Sequence, residues 1–165
     1  MDAPLKIIAF DQSTTATGYC VMEMGTAKII KHGVIKPKKN DATIDRVTYT
    51  IKRCLNLVRT NEVAFVFIEG VQVQRNPVVY EVLAKLAGTL EVMLHESGYL
   101  VNVVKASEWR KRVGIKNKAR HLVKQEAIDM VYELYKITAS EDESEAILFA
   151  RAFAMEENKG KNATK

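Results

Sequence analysis

Two short apolar runs that each end in an acidic residue constrain the possible folds more than any other feature of this sequence. Residues Leu5 to Phe10 (LKIIAF) lead into Asp11, and Ala64 to Ile68 (AFVFI) lead into Glu69. Continuous apolar runs of this length are typical of strands that are buried on both faces, as in parallel sheets. Because ligands bind beyond the carboxyl ends of such strands, the two acids predict a site there. The alternative is that each acid only caps a loop.

The remaining periodic segments predict a mixed α/β sheet around these two strands. Further strands are expected at Gly18 to Met24 and Ala27 to Ile35, with a hairpin between them, and at Tyr99 to Val104. Apolar residues spaced three or four apart predict five helices. These are Thr43 to Arg59, Val78 to Glu96, Ser107 to Arg112, His121 to Tyr135 and Asp142 to Glu156. The order predicts a five-stranded sheet whose first three strands are antiparallel, with helices on both faces.

The length of 165 residues suits one domain with a single core. We expect it to span residues 1–156, with a polar, frayed tail at 157–165. No apolar run approaches the ~18 residues that would span a bilayer. The N-terminus lacks the basic segment of a secretory signal, and two cysteines are too few for a disulfide framework. These features predict a cytoplasmic protein without a membrane partner.

Positive charge is concentrated in two stretches of the chain. The formal net charge is +5, yet residues 105–124 carry eight basic residues against one acid, and residues 28–39 carry five lysines and no acid. Basic patches on a partly acidic protein indicate a polyanionic partner, with nucleic acid as the first candidate. A solvated helix face would give the same pattern.

The start of the last predicted helix supplies further carboxylates. Ser140 and Glu143 fit the S-x-x-E capping box, which assigns Glu143 a structural role. Asp142 and Glu145 are three residues apart and therefore share a helix face. Acids in a first helical turn can also serve only to complement the helix dipole.

Four of these acids have the composition of a two-metal site. Oxygen-only ligands favour Mg²⁺ or Mn²⁺, and such clusters hold two ions about 3.5–4 Å apart for displacement at a phosphodiester. The other chemistry-bearing residues are weaker candidates: the histidines lack metal-ligand spacing, and Trp109 is typical of a core anchor. No G-x-x-x-x-G-K-[ST] motif for a nucleotide cofactor is present. The candidate ligands are Asp11, Glu69, Asp142 and Glu145.

Four segments, taken in order, resemble the RuvC family of Holliday junction resolvases. They are IIAFDQSTTATGYCVM (Ile7 to Met22), FIEGV (Phe67 to Val71), KASEWRKRVGI (Lys105 to Ile115) and EDESEAILFARA (Glu141 to Ala152). The short chain and the loose match look like the bacteriophage-encoded branch of that family.

The resemblance implies an RNase H-like fold and a homodimer that cuts branched DNA with two Mg²⁺ ions, for which Mn²⁺ substitutes. It also implies the host bacterial cytoplasm as the location. It assigns the catalytic and metal-binding acids to Asp11, Glu69, Asp142 and Glu145. It also implies DNA contacts from Lys116 and Lys118, and together with the charge pattern it leads us to expect DNA contacts from the whole basic segment. The residues are Lys105, Arg110, Lys111, Arg112, Lys116, Lys118 and Arg120.

Two departures from the family pattern leave the substrate open. Glu145 stands where cellular members usually have Asp, and Gln72 stands near where they carry an aromatic residue that is used at the junction. Forks and other branches are therefore possible substrates beside four-way junctions. The alternatives are a nuclease for structured RNA, as in the RuvX group, and a non-catalytic DNA-binding module. The segment D-Q-S-T-T-A-T-G also resembles the phosphate loop of FGGY-type sugar kinases, but those need several hundred residues.

Overall fold

The computed structural model describes residues 3–116 and 119–155, and its strands form one mixed sheet in the order β3-β2-β1-β4-β5. β1 pairs antiparallel with β2, and β2 with β3, whereas β4 lies parallel between β1 and β5. This arrangement confirms the predicted sheet with its three antiparallel strands first. The strands are β1 (Lys6–Gln12), β2 (Thr17–Glu23), β3 (Ile29–Ile35), β4 (Phe65–Glu69) and β5 (Leu100–Val104).

Helices cover both faces of the sheet, as predicted. They are α1 (Thr43–Thr60), α2 (Pro77–Glu96), α3 (Ala106–Val113), α4 (Arg120–Tyr135) and α5 (Glu141–Ala154). Successive side chains of a strand point to opposite faces. In β1, Ile7 and Ala9 therefore join the core beneath α3, α4 and α5, whereas Ile8 and Phe10 join the core beneath α1 and α2.

The ends of α5 follow from local chemistry. The Ser140 hydroxyl accepts a hydrogen bond from the Glu143 amide at 3.4 Å, and the Glu143 carboxylate accepts one from the Ser140 amide at 3.0 Å. The predicted capping box is therefore confirmed. α5 ends at Ala154, two residues earlier than predicted. The predicted tail at 157–165 lies outside the described residues, so its frayed state and the domain boundary stay predictions.

α2 begins one residue earlier than predicted, at Pro77, and ends at Glu96, as predicted. Its buried residues are Leu86, Leu90 and Leu94, whereas Met93 is exposed. The buried stripe therefore continues at a spacing of four residues and leaves Met93 outside it. No helix within residues 3–116 and 119–155 has the length and apolarity to cross a membrane.

Candidate active site

The ends of β1 and β4 place two acids side by side at one edge of the sheet. Phe10 pairs with Ile68 in the parallel β1–β4 ladder, and the next residues are Asp11 and Glu69. The side-chain amide of Gln12 donates a hydrogen bond to the backbone oxygen of Glu69 at 3.0 Å. This bond ties the two strand ends together, so both carboxylates are held on rigid elements.

A glycine lets α5 approach the sheet closely enough to bring its acids to the same edge. Gly18 is paired with Asp11 in the β1–β2 ladder. A Cβ atom on Gly18 would lie 2.1 Å from the backbone oxygen of Asp142, far inside contact distance. Because Gly18 has no side chain, the first turn of α5 packs directly on β2. Asp142 and Glu145 therefore come to the cleft that Asp11 lines.

The four predicted acids line one cleft with a volume of about 430 Å³. Asp142 and Glu145 enter from α5, while Asp11 and Glu69 enter from the sheet. Glu145 is only 6% exposed. The structure thus brings together all four acids that sequence analysis selected, and their catalytic role stays a prediction.

The acids in this cleft perturb one another. Burial raises the pKa of Asp11 well above its ordinary value, and the charges of Glu69, Glu145 and Asp142 raise it further. Burial also raises the pKa of Glu69, against the opposing effects of a hydrogen bond from Trp109 and the positive charge of Arg110. Among the described residues, the cleft is lined by four acids and three cations. Such perturbed acids in a cleft are typical of functional sites.

α3 supplies two side chains that hold the acids in place. The indole nitrogen of Trp109 donates a hydrogen bond to Glu69 Oε2 at 2.7 Å, and the Arg110 guanidinium pairs with Glu145 Oε1 at 3.0 Å. Trp109 is fully buried, as a core anchor should be. Sequence analysis missed its bond to Glu69. The available signal was that a buried indole N–H needs a polar partner.

The acids are close, but they are not grouped around a common point. Among the residues that the structure describes, no three acidic, histidine or cysteine side chains are already arranged as ligands of one metal ion. Two of the four carboxylates have partners within α3, since Glu69 accepts from Trp109 and Glu145 pairs with Arg110. A metal ion would therefore have to draw at least some of these carboxylates inward.

The basic segment reaches the cleft through only some of its members. Arg110 and Arg120 line it, and so does Lys124, which sequence analysis did not select as a site residue. Lys124 pairs with Glu141 at the start of α5. Lys118 lies outside the described residues. The other four selected residues do not line the cleft: Lys105, Lys111, Arg112 and Lys116.

Solved structures of Holliday junction resolvases share this fold. Thermus thermophilus RuvC in complex with a Holliday junction substrate aligns with a TM-score of 0.75 at 16% identity, covering 92% of this chain and 93% of that chain. The yeast mitochondrial Holliday junction resolvase aligns with a TM-score of 0.60 at 11% identity, covering 94% of this chain and 80% of that chain. The fowlpox virus Holliday junction resolvase aligns with a TM-score of 0.56 at 14% identity, covering 91% of this chain and 98% of that chain. At these identities the likeness establishes the fold, which is the predicted RNase H-like one.

Sequence comparison assigns the family. No match was found among curated proteins. The family described as crossover junction endodeoxyribonuclease RuvC matches residues 7–155, which include all four acids of the cleft. The chain therefore belongs to the RuvC family of crossover junction endodeoxyribonucleases.

Proposed function

We propose that this protein cuts branched DNA by hydrolysing phosphodiester bonds at the cleft of Asp11, Glu69, Asp142 and Glu145. The observation that carries the proposal is the convergence of four acids from three separate elements on one cleft, whose wall also holds cations. Acidic clusters within a positively charged surface suit a reaction on a nucleic acid backbone, because the cations bind phosphates and the acids bind metal ions.

The donor chemistry of the cleft fits hard divalent cations. RuvC-family enzymes depend on divalent metal ions. Carboxylate oxygens favour Mg²⁺ and Mn²⁺, and a cation would oppose the burial and the acid–acid repulsion that raise the pKa of Asp11. We propose two Mg²⁺ ions per site, replaceable by Mn²⁺, held by these four acids. Such ions, when bound, activate water and stabilise the leaving oxygen.

The chain's own residues supply orientation and positive charge. The strand ends hold Asp11 and Glu69, and Trp109 fixes one oxygen of Glu69 through its 2.7 Å hydrogen bond. Arg120 and Lys124 line the same cleft as the acids. We propose that these two cations bind the phosphates on either side of the bond that is cut.

Substitution of the strand acids tests the reaction. Asp11→Asn and Glu69→Gln should abolish Mg²⁺-dependent cutting of a labelled four-way junction and leave binding intact or slightly tighter, because each removes a metal ligand and one negative charge. Glu143→Gln is the matched control, since Glu143 is occupied by the capping box. Cleavage near the wild-type rate in Asp11→Asn or Glu69→Gln would exclude that acid from the site. A Glu143→Gln variant without cleavage activity would show that the catalytic acids on α5 are not Asp142 and Glu145 alone.

A panel of substrates tests the kind of nucleic acid. Replication forks, linear duplex and a structured RNA should be compared with the four-way junction under the same Mg²⁺ conditions. We expect cutting of the branched DNA. Cutting of the RNA alone would favour the alternative of an RNA nuclease, and binding without cutting would favour a non-catalytic module.

The salt dependence of binding tests the basic residues. Arg120→Gln combined with Lys124→Gln should weaken binding to DNA of any sequence and flatten the salt dependence by about one unit of slope per lost phosphate contact. Lys111→Gln with Lys116→Gln is the comparison pair, because neither residue lines the cleft. An equal change in that pair would extend the interface along the basic segment. An unchanged slope in both pairs would leave the segment a solvated face.

A homodimer through α2 is the proposed assembly. A four-way junction has two-fold symmetry, and one site per chain cuts both strands together only in a C₂ dimer. Much of α2 faces outward: Val78 is 67% exposed and Val92 is 61% exposed. A Cβ on Gly88 would meet no heavy atom within 4 Å, which leaves room for a second helix.

Sedimentation tests the dimer. At micromolar concentration we expect about twice the 18.6 kDa chain mass. Val92→Glu should give a folded monomer, because Val92 is exposed in the single chain, whereas Leu122→Glu on α4 is the control for adding a charge at an exposed apolar residue. A wild-type monomer that still cuts both strands in one binding event would contradict the dimer.

A further inference from the structure

We infer that Arg110 is an internal counterion of the acidic cleft, which holds Glu145 when no divalent cation is bound and gives it up when one binds. This inference rests on the proposed function, since it concerns the same site. The Arg110 guanidinium lies 3.0 Å from Glu145 Oε1, and Glu145 is only 6% exposed. A cation that reaches Glu145 must therefore compete with a positive side chain that is already in place.

Arg110 uses only part of its hydrogen-bonding capacity. A guanidinium carries five N–H donors, yet the contact with Glu145 uses only one terminal nitrogen. The Nε atom of Arg110 is buried, and it has no hydrogen-bond partner among the residues that the structure describes. Buried donors of native proteins are nearly always paired. This geometry is consistent with a side chain that has a second position with better partners.

The contacts of Arg110 allow it to leave Glu145 without leaving the cleft. Its guanidinium lies 5.2 Å from the centre of the Trp109 ring, a cation–π distance. It also lines the cleft together with Arg120 and Lys124. A guanidinium released from a carboxylate in such a place is suited to bind a phosphate, for which its planar fork has the right geometry.

Arg110 acts on more than its direct partner. Its positive charge opposes the rise in the pKa of both Asp11 and Glu69. Arg110 therefore relieves repulsion among the acids, which is also what a metal ion would do. Two cations at one cluster repel each other, so the presence of Arg110 weakens metal binding. The pairing of Glu145 with Arg110 also accounts for acids that are close together but are not yet grouped as ligands.

The test measures binding of Mn²⁺ to the protein without DNA, by isothermal titration calorimetry. Arg110→Gln should bind Mn²⁺ at least about tenfold more tightly than wild type, equivalent to about 1.4 kcal/mol. Arg110→Lys keeps the charge and should stay near wild type. Arg112→Gln is the control, because it removes the same charge from the same helix. Arg112 lies two residues away on α3, pairs with Glu108 at 3.1 Å and does not line the cleft.

The outcomes separate this inference from the proposed function. One outcome is that Arg110→Gln binds Mn²⁺ no more tightly than wild type does, while Asp11→Asn loses Mn²⁺ binding. This outcome would refute the counterion role of Arg110 and leave the nuclease proposal standing. No Mn²⁺ binding by wild type at millimolar concentration would overturn both. An equal gain in Mn²⁺ affinity in Arg112→Gln would show a nonspecific charge effect and would also refute the counterion role of Arg110.

A measurement on the unaltered protein covers the case in which Arg110→Gln does not fold. The Nε–H resonance of Arg110, assigned by its absence from Arg110→Lys, should shift when Mg²⁺ is added to wild type. The Arg112 Nε–H resonance should stay in place. An Arg110 resonance that is unchanged at saturating Mg²⁺ would overturn the inference.

Discussion

The contact between Gly18 and α5 makes a sharp prediction about catalysis. In Gly18→Ala the new Cβ would lie 2.1 Å from the Asp142 backbone oxygen, whereas real Cβ contacts shorter than 3.0 Å essentially never occur. The first turn of α5 must therefore move away from β2 by about 1 Å. Overpacking of this kind costs about 1–3 kcal/mol, and for a domain of this size that lowers the Tm by about 2–12 °C. A misplacement of about 1 Å can cost about 10²-fold in rate.

The assay compares cleavage of a four-way junction at saturating Mg²⁺, well below the Tm of each variant. Gly18→Ala should cut about 10²-fold more slowly, because Asp142 and Glu145 move with α5. Gly33→Ala is the matched control on the neighbouring strand β3, since its Cβ would meet only the ring end of Tyr19, which can swing aside. If Gly18→Ala loses stability but cuts at the wild-type rate, the close approach of α5 does not position the acids, and the reasoning is refuted.

Three further predictions concern individual side chains of the site. Trp109→Phe removes the hydrogen-bond donor of Glu69 and should lower activity or metal affinity about 10–100-fold; an unchanged value of both would deny Trp109 a positioning role. Asp11→Asn should raise the Tm of the metal-free protein. Because the pKa of Asp11 is raised in the fold, its contribution to stability is full below the ordinary pKa of Asp and is lost as pH rises through the raised pKa. The gain in Tm should therefore be largest at pH 8 and shrink as pH falls, and a gain that grows on acidification would contradict this. Glu143→Gln should cost only about 0.5–1.5 kcal/mol, measured by urea unfolding, through loss of its half-buried 3.0 Å contact with His32 Nδ1; a cost above about 2 kcal/mol would show a larger structural role.

The sheet and the acids could be predicted because they depend on local patterns. The apolar runs before Asp11 and Glu69 predict buried strands, and the capping box at Ser140 predicts where α5 begins. Each of these signals comes from residues within one element, where side-chain periodicity and hydrogen bonding to the adjacent backbone are decisive. They also place the two strand acids at one edge, since parallel strands end together.

The basic residues show what local sequence patterns do not determine. The sequence concentrates positive charge between residues 105 and 124, yet of the basic residues that the structure describes there, only Arg110, Arg120 and Lys124 line the cleft. Lys111 and Arg110 are neighbours in sequence, but adjacent residues of a helix point in different directions. Which of them faces the acids depends on how α3 and α4 pack, and charge counting does not determine this.

By itself the sequence determined the order of the strands and helices, the four acids and the family motifs, since all of these are local. Only the tertiary structure decided how the acids are held: Trp109 bonds to Glu69, Arg110 pairs with Glu145, and Gly18 admits the backbone of Asp142. Residues 40, 35 and 124 positions apart meet in these contacts. Such contacts form when α3 and α5 pack on the sheet, and no pattern within a single segment encodes the distance between two elements.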